Sequence, residues 1–332
     1  SAREVLRPGS EIGQGLRDPK DNVLMGGISI LDLPGGAGCE NGGDMMGPYG
    51  DGIWSTASSR YACAWDYGRA RTIQQPVETL QFLGRATFKI SDNHRAYFEA
   101  MGSEVKATRH FEAQQLSSAN TARGTAASLD AGTWYPLNDL TRDTYNMIYN
   151  GLASYFGTAG LNYGAPIAYR WRCEACGPRQ IETTTKASRF LLGFEGVVGS
   201  WDYTAGLSRA TSESQSVLGG GYYYTQQLKP LLGSGLLNPF LLPGQEQSAA
   251  AMAALQAASA QGVELYTGTS TSTILDASFS GGLGFSLPGG EVQAAVGMDL
   301  RREEYEFSGR AEAAQGNAWI FGVPGDAQNY MP

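Results

Sequence analysis

Residues Gly281 to Phe307 read GGLGFSLPGGEVQAAVGMDLRREEYEF, a β-hairpin longer than a soluble sheet requires. Starting at Leu275, the odd positions are Leu275, Ala277, Phe279, Gly281, Leu283, Phe285 and Leu287, while Asp276, Ser278, Ser280, Gly282, Gly284 and Ser286 fill the even ones. That is period two, with one face apolar and the other small and polar. Pro288-Gly289-Gly290 then supplies a turn, because Pro fixes φ and Gly allows positive φ. The pattern resumes at once: Val292, Ala294, Val296, Met298 and Leu300 oppose Gln293, Ala295, Gly297, Asp299 and Arg301.

Two further stretches obey the same rule. Phe82, Gly84, Ala86, Phe88 and Ile90 alternate with Gln81, Leu83, Arg85, Thr87 and Lys89; after Ser91-Asp92-Asn93-His94, Ala96, Phe98 and Ala100 oppose Tyr97 and Glu99. Phe190, Leu192, Phe194, Gly196 and Val198 oppose Arg189, Leu191, Gly193, Glu195 and Val197; after Gly199-Ser200, Trp201, Tyr203, Ala205 and Leu207 oppose Asp202, Thr204, Gly206 and Ser208. The strands of the first hairpin reach the roughly 9–11 residues that a tilted strand needs to cross a bilayer, against about 5–6 in soluble sheets. The expected fold class is all-β: an antiparallel transmembrane β-barrel portion, about six long strands in three hairpins, with long extracellular loops and a short loop helix. Along the chain this predicts an extracellular loop over 1–73, a hairpin over 74–110, a loop over 111–166, a hairpin over 167–215, a loop over 216–272 with a helix over 245–262, a hairpin over 273–307 and the start of another loop over 308–332.

Composition narrows the class further. The 332 residues are 42% hydrophobic and only 17% charged, with 45 glycines and 17 tyrosines, which is neither a disordered chain nor a helical one. A net charge of −8 without a Lys/Arg cluster argues against a nucleic-acid partner. No run approaches the ~20 apolar residues of a membrane-spanning helix, and SAREVLRPGS lacks the regions of a secretory signal. A soluble β-sandwich or lipocalin-like barrel also alternates. Against it stand the strand length, the unequal connections, and the charges Arg85, Lys89, Arg189, Glu195, Asp202, Asp299 and Arg301 opposite an apolar face. A watery lumen and a lipid-facing exterior suit both faces.

Leu287 to Gly290 (LPGG), followed by Val292, Ala295, Gly297, Arg301, Glu303 and Tyr305, resemble a signature hairpin of TonB-dependent outer-membrane receptors: a strand ending in LPGG, then V-x-x-A-x-G-x-x-x-R-x-E-x-Y. Cys176 to Ser214, CGPRQIETTTKASRFLLGFEGVVGSWDYTAGLSRATSES, is similar to another stretch of that family: Gly-Pro-Arg, a Thr-rich strand, R-x-x-x-G-x-x-G and a Trp-Asp-Tyr return strand. His94, Tyr97 and Glu99 fit its H-x-x-Y/F-x-E pattern more loosely, and the resemblance covers roughly residues 60–310. It implies a place in the bacterial outer membrane and energised uptake of a scarce ligand, such as a siderophore, cobalamin or carbohydrate. The implied partners are outer-membrane lipid, an extracellular small molecule or oligosaccharide, and the TonB complex acting through a plug. These residues hold no plug-like region and no final strand ending in an aromatic, so the chain is expected to be an internal piece that does not transport alone. A passive porin-like or adhesin-like barrel, and a soluble glycan-binding β-protein, are the alternatives.

Four cysteines allow three pairings. Cys39 and Cys63 share the first loop, and a bridge there is worth about 3 kcal/mol in the chain-entropy model. Cys173 and Cys176 lie about 10 Å apart in a straight strand, so a Cys173–Cys176 bridge requires a bend, which Gly177-Pro178 can provide. A redox or metal CxxC is the competing reading, but the two histidines, His94 and His110, are distant in sequence. No G-x-S-x-G, H-E-x-x-H or P-loop is present, and no catalytic, cofactor or metal residue is assigned. Arg301-Arg302-Glu303-Glu304 reads as charges at a strand end. Met252, Leu255 and Ser259 have helical spacing within 245–262, and Tyr145, Ile148, Leu152 and Tyr155 share a face of a second short helix over 141–155. Trp201, Tyr203, Tyr222-Tyr223-Tyr224, Tyr305 and Phe307 are expected in interfacial girdles, while Trp54, Trp65 and Trp134 are loop residues to which ligand stacking can be ascribed.

Overall fold

The computed structural model describes residues 3–4, 16–39, 45–48, 57–65, 68, 72–117, 133–242, 244–309 and 320–321. Six long strands dominate it: β1 (Val77–Ser91), β2 (His94–Ala113), β3 (Pro178–Val198), β4 (Trp201–Leu218), β5 (Glu264–Leu287) and β6 (Gly290–Gly309). They form one antiparallel sheet in chain order, open at the β1 and β6 edges. Trp54 lies outside the described residues, as does most of the segment 308–332.

At one end the strands are joined by two-residue turns: Asp92-Asn93 between the paired Ser91 and His94, Gly199-Ser200 between Val198 and Trp201, and Pro288-Gly289 between Leu287 and Gly290. Gly199 sits at φ 67° and Gly290 at φ 126°, backbone that L side chains rarely adopt. A register shift between Gly282 and Ser286, where Gly284 has φ 78°, absorbs extra residues in β5 as a bulge. At the other end the strands overrun the hairpin limits read from the sequence. β2 and β4 continue to Ala113 and Leu218, and β5 begins at Glu264, because polar Thr, Ser and Glu residues keep pairing after the apolar alternation has ended. β3 starts at Pro178, after the expected start at 167, since the preceding chain belongs to a separate packed layer.

Cross-strand register gathers the alternation into two continuous faces. Ala86, Phe98, Leu192, Leu207, Leu275 and Leu300 stand in one row, and Phe88, Ala96, Phe194, Ala205, Ala277 and Met298 in the next. Their large side chains are exposed, Phe82 by 63% and Val296 by 65%. On the opposite face Tyr97 lies across Gly193, whose added Cβ would fall 2.2 Å from the Tyr97 ring, and the Arg85 guanidinium stacks over the same ring at 4.4 Å. Glycine is needed there because the ring occupies its side-chain space.

The long connections converge beyond the other strand ends into a cap with its own core. Its helices are α1 (Arg142–Phe156), α2 (Thr225–Ser234) and α3 (Ala249–Ala257). α1 buries Tyr145, Ile148 and Leu152 at helical spacing, and the Asn138 Oδ1 accepts from the Leu140 and Thr141 N–H groups just before it. α3 occupies only part of 245–262; the Ser248 hydroxyl accepts from the Ala251 N–H at 3.1 Å and starts it there. These helices pack with Ile28, Tyr135, Tyr169, Trp171 and Phe240.

Tyr222 and Tyr223 do not form a girdle. β4 ends at Leu218 and Gly219-Gly220-Gly221 turns the chain into the cap, so Tyr222 packs on Ile181, Leu218 and Leu265 while Tyr223 joins the main cap core. Trp65 is likewise 4% exposed, under the Arg172 guanidinium at 5.5 Å, and offers no stacking surface.

Replacing Gly193 with Leu must displace the Tyr97 ring and its stacked arginine, an overpacking cost of about 1–3 kcal/mol. Gly268→Ala, whose new Cβ meets nothing nearer than 3.5 Å, is the control. Denaturant unfolding of the two variants should separate them; equal stability would mean the ring moves aside freely.

Candidate functional site

The face opposite the exposed apolar residues carries the ionic chemistry of the sheet. Arg85 reaches Glu99 at 2.9 Å across β1 and β2, Arg95 approaches Glu195 at 3.9 Å across β2 and β3, and Arg301 lies 3.8 Å from Asp299 and 3.5 Å from Glu303. Between these pairs the small side chains of Ala187 and Ala210, level with Arg189, Ser212 and Ser272, leave a concavity of about 660 Å³ bordered by Leu83 and Met101. Among the described residues Arg189 is the only charged side chain lining it. Such a surface suits water and polar solutes, since its cations and hydroxyls have no dry core to enter. Arg301, Arg302, Glu303 and Glu304 are exposed, and Arg302 pairs with Glu304 at 2.5 Å.

The cap is fastened by two disulfides. Cys39–Cys63 has Cα atoms 5.4 Å apart, and Cys173–Cys176 has them 5.2 Å apart. The second closes across the 3₁₀ turn Glu174–Cys176, with Gly177 at φ 72°, so the chain has already left the extended form before β3 begins. The Tyr223 hydroxyl donates to the Cys176 carbonyl at 2.8 Å, and burial pushes that hydroxyl's pKa up to about 12. His94 and His110 lie near opposite ends of β2, and among the described residues no group of His, Cys, Asp and Glu is arranged to hold a metal ion.

Beside the disulfide turn is a cleft of about 330 Å³, lined by Trp171, Glu174, Asn238, Glu246 and Met252 among others. Its far wall is held by the Gln247 amide, which accepts from the Asn238 N–H at 2.9 Å and donates to the Asn238 carbonyl at 2.7 Å. Apolar and polar groups therefore meet on two braced walls, an arrangement that can seat a small amphipathic group. The cleft draws on residues dozens of positions apart, and the sequence marks it only through the CxxC.

Asp18 is the electrostatic centre of the cap. Its buried carboxylate accepts from the Lys20 N–H at 2.9 Å, the Arg60 guanidinium at 2.7 Å, the Tyr61 hydroxyl at 2.9 Å and the Tyr155 hydroxyl at 3.2 Å. It thereby ties the first segment of the cap to α1. Burial pushes the carboxyl up, but the Lys20 N–H, both tyrosine hydroxyls and Arg60 outweigh it and hold the carboxyl below its usual 3.8. Burial, then the Tyr155 and Asp18 contacts, push the Tyr61 hydroxyl up, so it remains a donor.

No family model matches the chain, and neither does any curated protein or solved structure.

Because the folded Asp18 value lies below the unfolded one, the carboxylate contributes fully above about pH 4 and loses its contribution as the pH falls through the folded value. Near-UV circular dichroism of the cap aromatics should therefore show a thermal midpoint that drops on acidification below about pH 4. Asp18→Asn should lower stability at pH 7 by about 2 kcal/mol and flatten that acid limb. An unchanged acid limb would remove Asp18 as its source.

Proposed function

We propose that this chain supplies part of the wall and the extracellular cap of an outer-membrane β-barrel, of the TonB-dependent receptor type that its hairpins resemble. The observation that carries the proposal is the slant of the exposed apolar belt. On β1 the outward apolar residues continue up to Leu80, on β3 to Phe190, and on β4, β5 and β6 only to Leu207, Leu275 and Leu300, which are level with one another. Leu80 is level, through Glu104, Lys186, Glu213 and Thr269, with Glu306, six residues beyond Leu300. Six residues along a strand are about 20 Å and five strand spacings about 24 Å, so from β1 to β6 the belt edge departs on average by about 40° from the perpendicular to the strands. Strands of membrane barrels are inclined by roughly 35–45° to the bilayer normal. A belt horizontal in a bilayer has this slant on tilted strands, whereas a soluble sheet has no reason to expose one.

Around the belt, the polar face becomes the lumen wall and the cap the ligand-facing end. In hydrocarbon the β1 and β6 edges need partners, since each unsatisfied backbone group costs several kcal/mol; this reading places further strands beside both. The receptor would capture a scarce extracellular ligand, such as a siderophore, cobalamin or carbohydrate, at the cap and release it inward when the TonB complex acts on a plug. That is binding and gating, without bond chemistry.

Nitroxide labels placed singly at Ala295, Val296, Gly297 and Met298, with the chain in dodecyl maltoside micelles, test the reading. Labels at 296 and 298 should collide preferentially with oxygen and those at 295 and 297 with a water-soluble nickel complex; uniform access to nickel would refute a lipid-facing belt. In liposomes, Leu192→Arg on the belt should cost about 2–4 kcal/mol near the bilayer midplane, and Ser280→Arg on the opposite face much less. Denaturant unfolding reads the difference.

A further inference from the structure

One row of the outer face lies immediately beyond the belt on the cap side. Arg209 on β4, Thr273 on β5 and Arg302 on β6 are level with one another and with Phe190, the last belt residue of β3, and they lie directly beyond Leu207, Leu275 and Leu300. Both arginines are exposed, and Arg209 forms no ion pair among the described residues. Two strand spacings separate them, about 10 Å, with the Thr273 hydroxyl between. The next row supplies two more hydroxyls, Thr211 and Thr271, and one acid, Glu304, which is engaged by Arg302. Farther out the face turns acidic, with Glu213 and Glu306 beside Lys186. On the described outward face of β4 to β6, positive charge is thus concentrated in the single row that borders the apolar surface.

We propose that Arg209, Thr273 and Arg302 form a docking site for the phosphate of a phosphorylated lipid in the leaflet on the cap side. The inference rests on the membrane reading given above. A lipid whose acyl chains lie along Leu207, Leu275 and Leu300 brings its headgroup to this row by geometry alone. Guanidinium groups match phosphate with paired N–H donors that a lysine would not provide, and basic side chains just outside the hydrocarbon attract anionic headgroups. A free phosphate lacks the apolar contact that places the lipid there, and the acidic residues farther out disfavour an anion arriving from solution.

The test uses the full chain in dodecyl maltoside micelles, titrated with fluorescently labelled lipid A. Arg209→Ser combined with Arg302→Ser should weaken binding about 25-fold, roughly fivefold per arginine, while Arg189→Ser on the opposite face leaves it unchanged. Lipid A stripped of its phosphates should bind the wild-type chain as weakly as phosphorylated lipid A binds the double variant. Equal binding by wild type and double variant overturns the proposal, as does displacement of lipid A by millimolar inorganic phosphate, which would make the row a soluble-anion site. The nitroxide pattern keeps the two ideas apart: if alternation fails, the membrane reading fails; if alternation holds and the titrations do not discriminate, only this site is lost.

Discussion

Leu207, Leu275 and Leu300 stand side by side only because β4, β5 and β6 keep a register that a slip of one residue would destroy. Such a slip would bring Asp299 into the apolar row and Leu300 among the charges. Several features pin the register. Two-residue turns leave no slack at one end, the bulge at Gly284 takes up extra residues within β5, and Arg85 with Glu99 joins β1 to β2. The Tyr97 ring seated on Gly193 adds a contact that exists in one alignment alone.

The cap depends on the same alignment from the other end. Its segments leave the sheet at Ala113, Pro178, Leu218 and Glu264, which register brings close together. Ile181, Leu218 and Leu265 on the strands then pack with Tyr222 and Ala260 of the cap, so the layers share a boundary. Beyond it, Asp18 and the two disulfides hold segments that carry little regular structure. A carboxylate with four donors can do this because they join its own turn, through Lys20, to the segment of Arg60 and Tyr61 and to Tyr155 of α1.

The sheet was legible in the sequence because a strand states its faces locally: each alternating residue in Phe190 to Val198 declares its side without reference to any other strand. Where the outward residues became Thr, Ser and Glu, as in Thr267 to Thr273, the contrast vanished although pairing continued, and the strands were read short. The cap was scarcely legible. Its core residues Ile28, Tyr135, Trp171 and Phe240 are assembled from distant segments and show no common period. Pro230 inside α2 breaks the usual sequence mark of a helix, and Gly235 at φ 80° ends it where Thr141 approaches. Three consecutive tyrosines read as interfacial residues because nothing local says that Gly219 to Gly221 folds them inward. α1 could be read because Tyr145, Ile148 and Leu152 lie within one short period. Of the cleft, only the CxxC turn was visible, and Glu246 and Asn238 had no local sign of sharing a wall with it.

The two faces of the sheet impose opposite demands on their surroundings. Burying Leu207, Leu275, Leu300 and their neighbours gains roughly 25 cal/mol for each Å² removed from water, so that face is stable against hydrocarbon or another apolar layer. The other face cannot follow it into a dry interior, because Arg189 would enter with no ion-pair partner among the described residues and Asp276 directly opposite Asp299 would add like-charge repulsion. A second sheet packed on the apolar side would satisfy the first demand, but its contact edge would follow the two sheets' packing angle and not a line about 40° from the perpendicular to the strands. A planar boundary between hydrocarbon and water meets both demands, and it accounts for the direction of the slant with no further assumption about the partner.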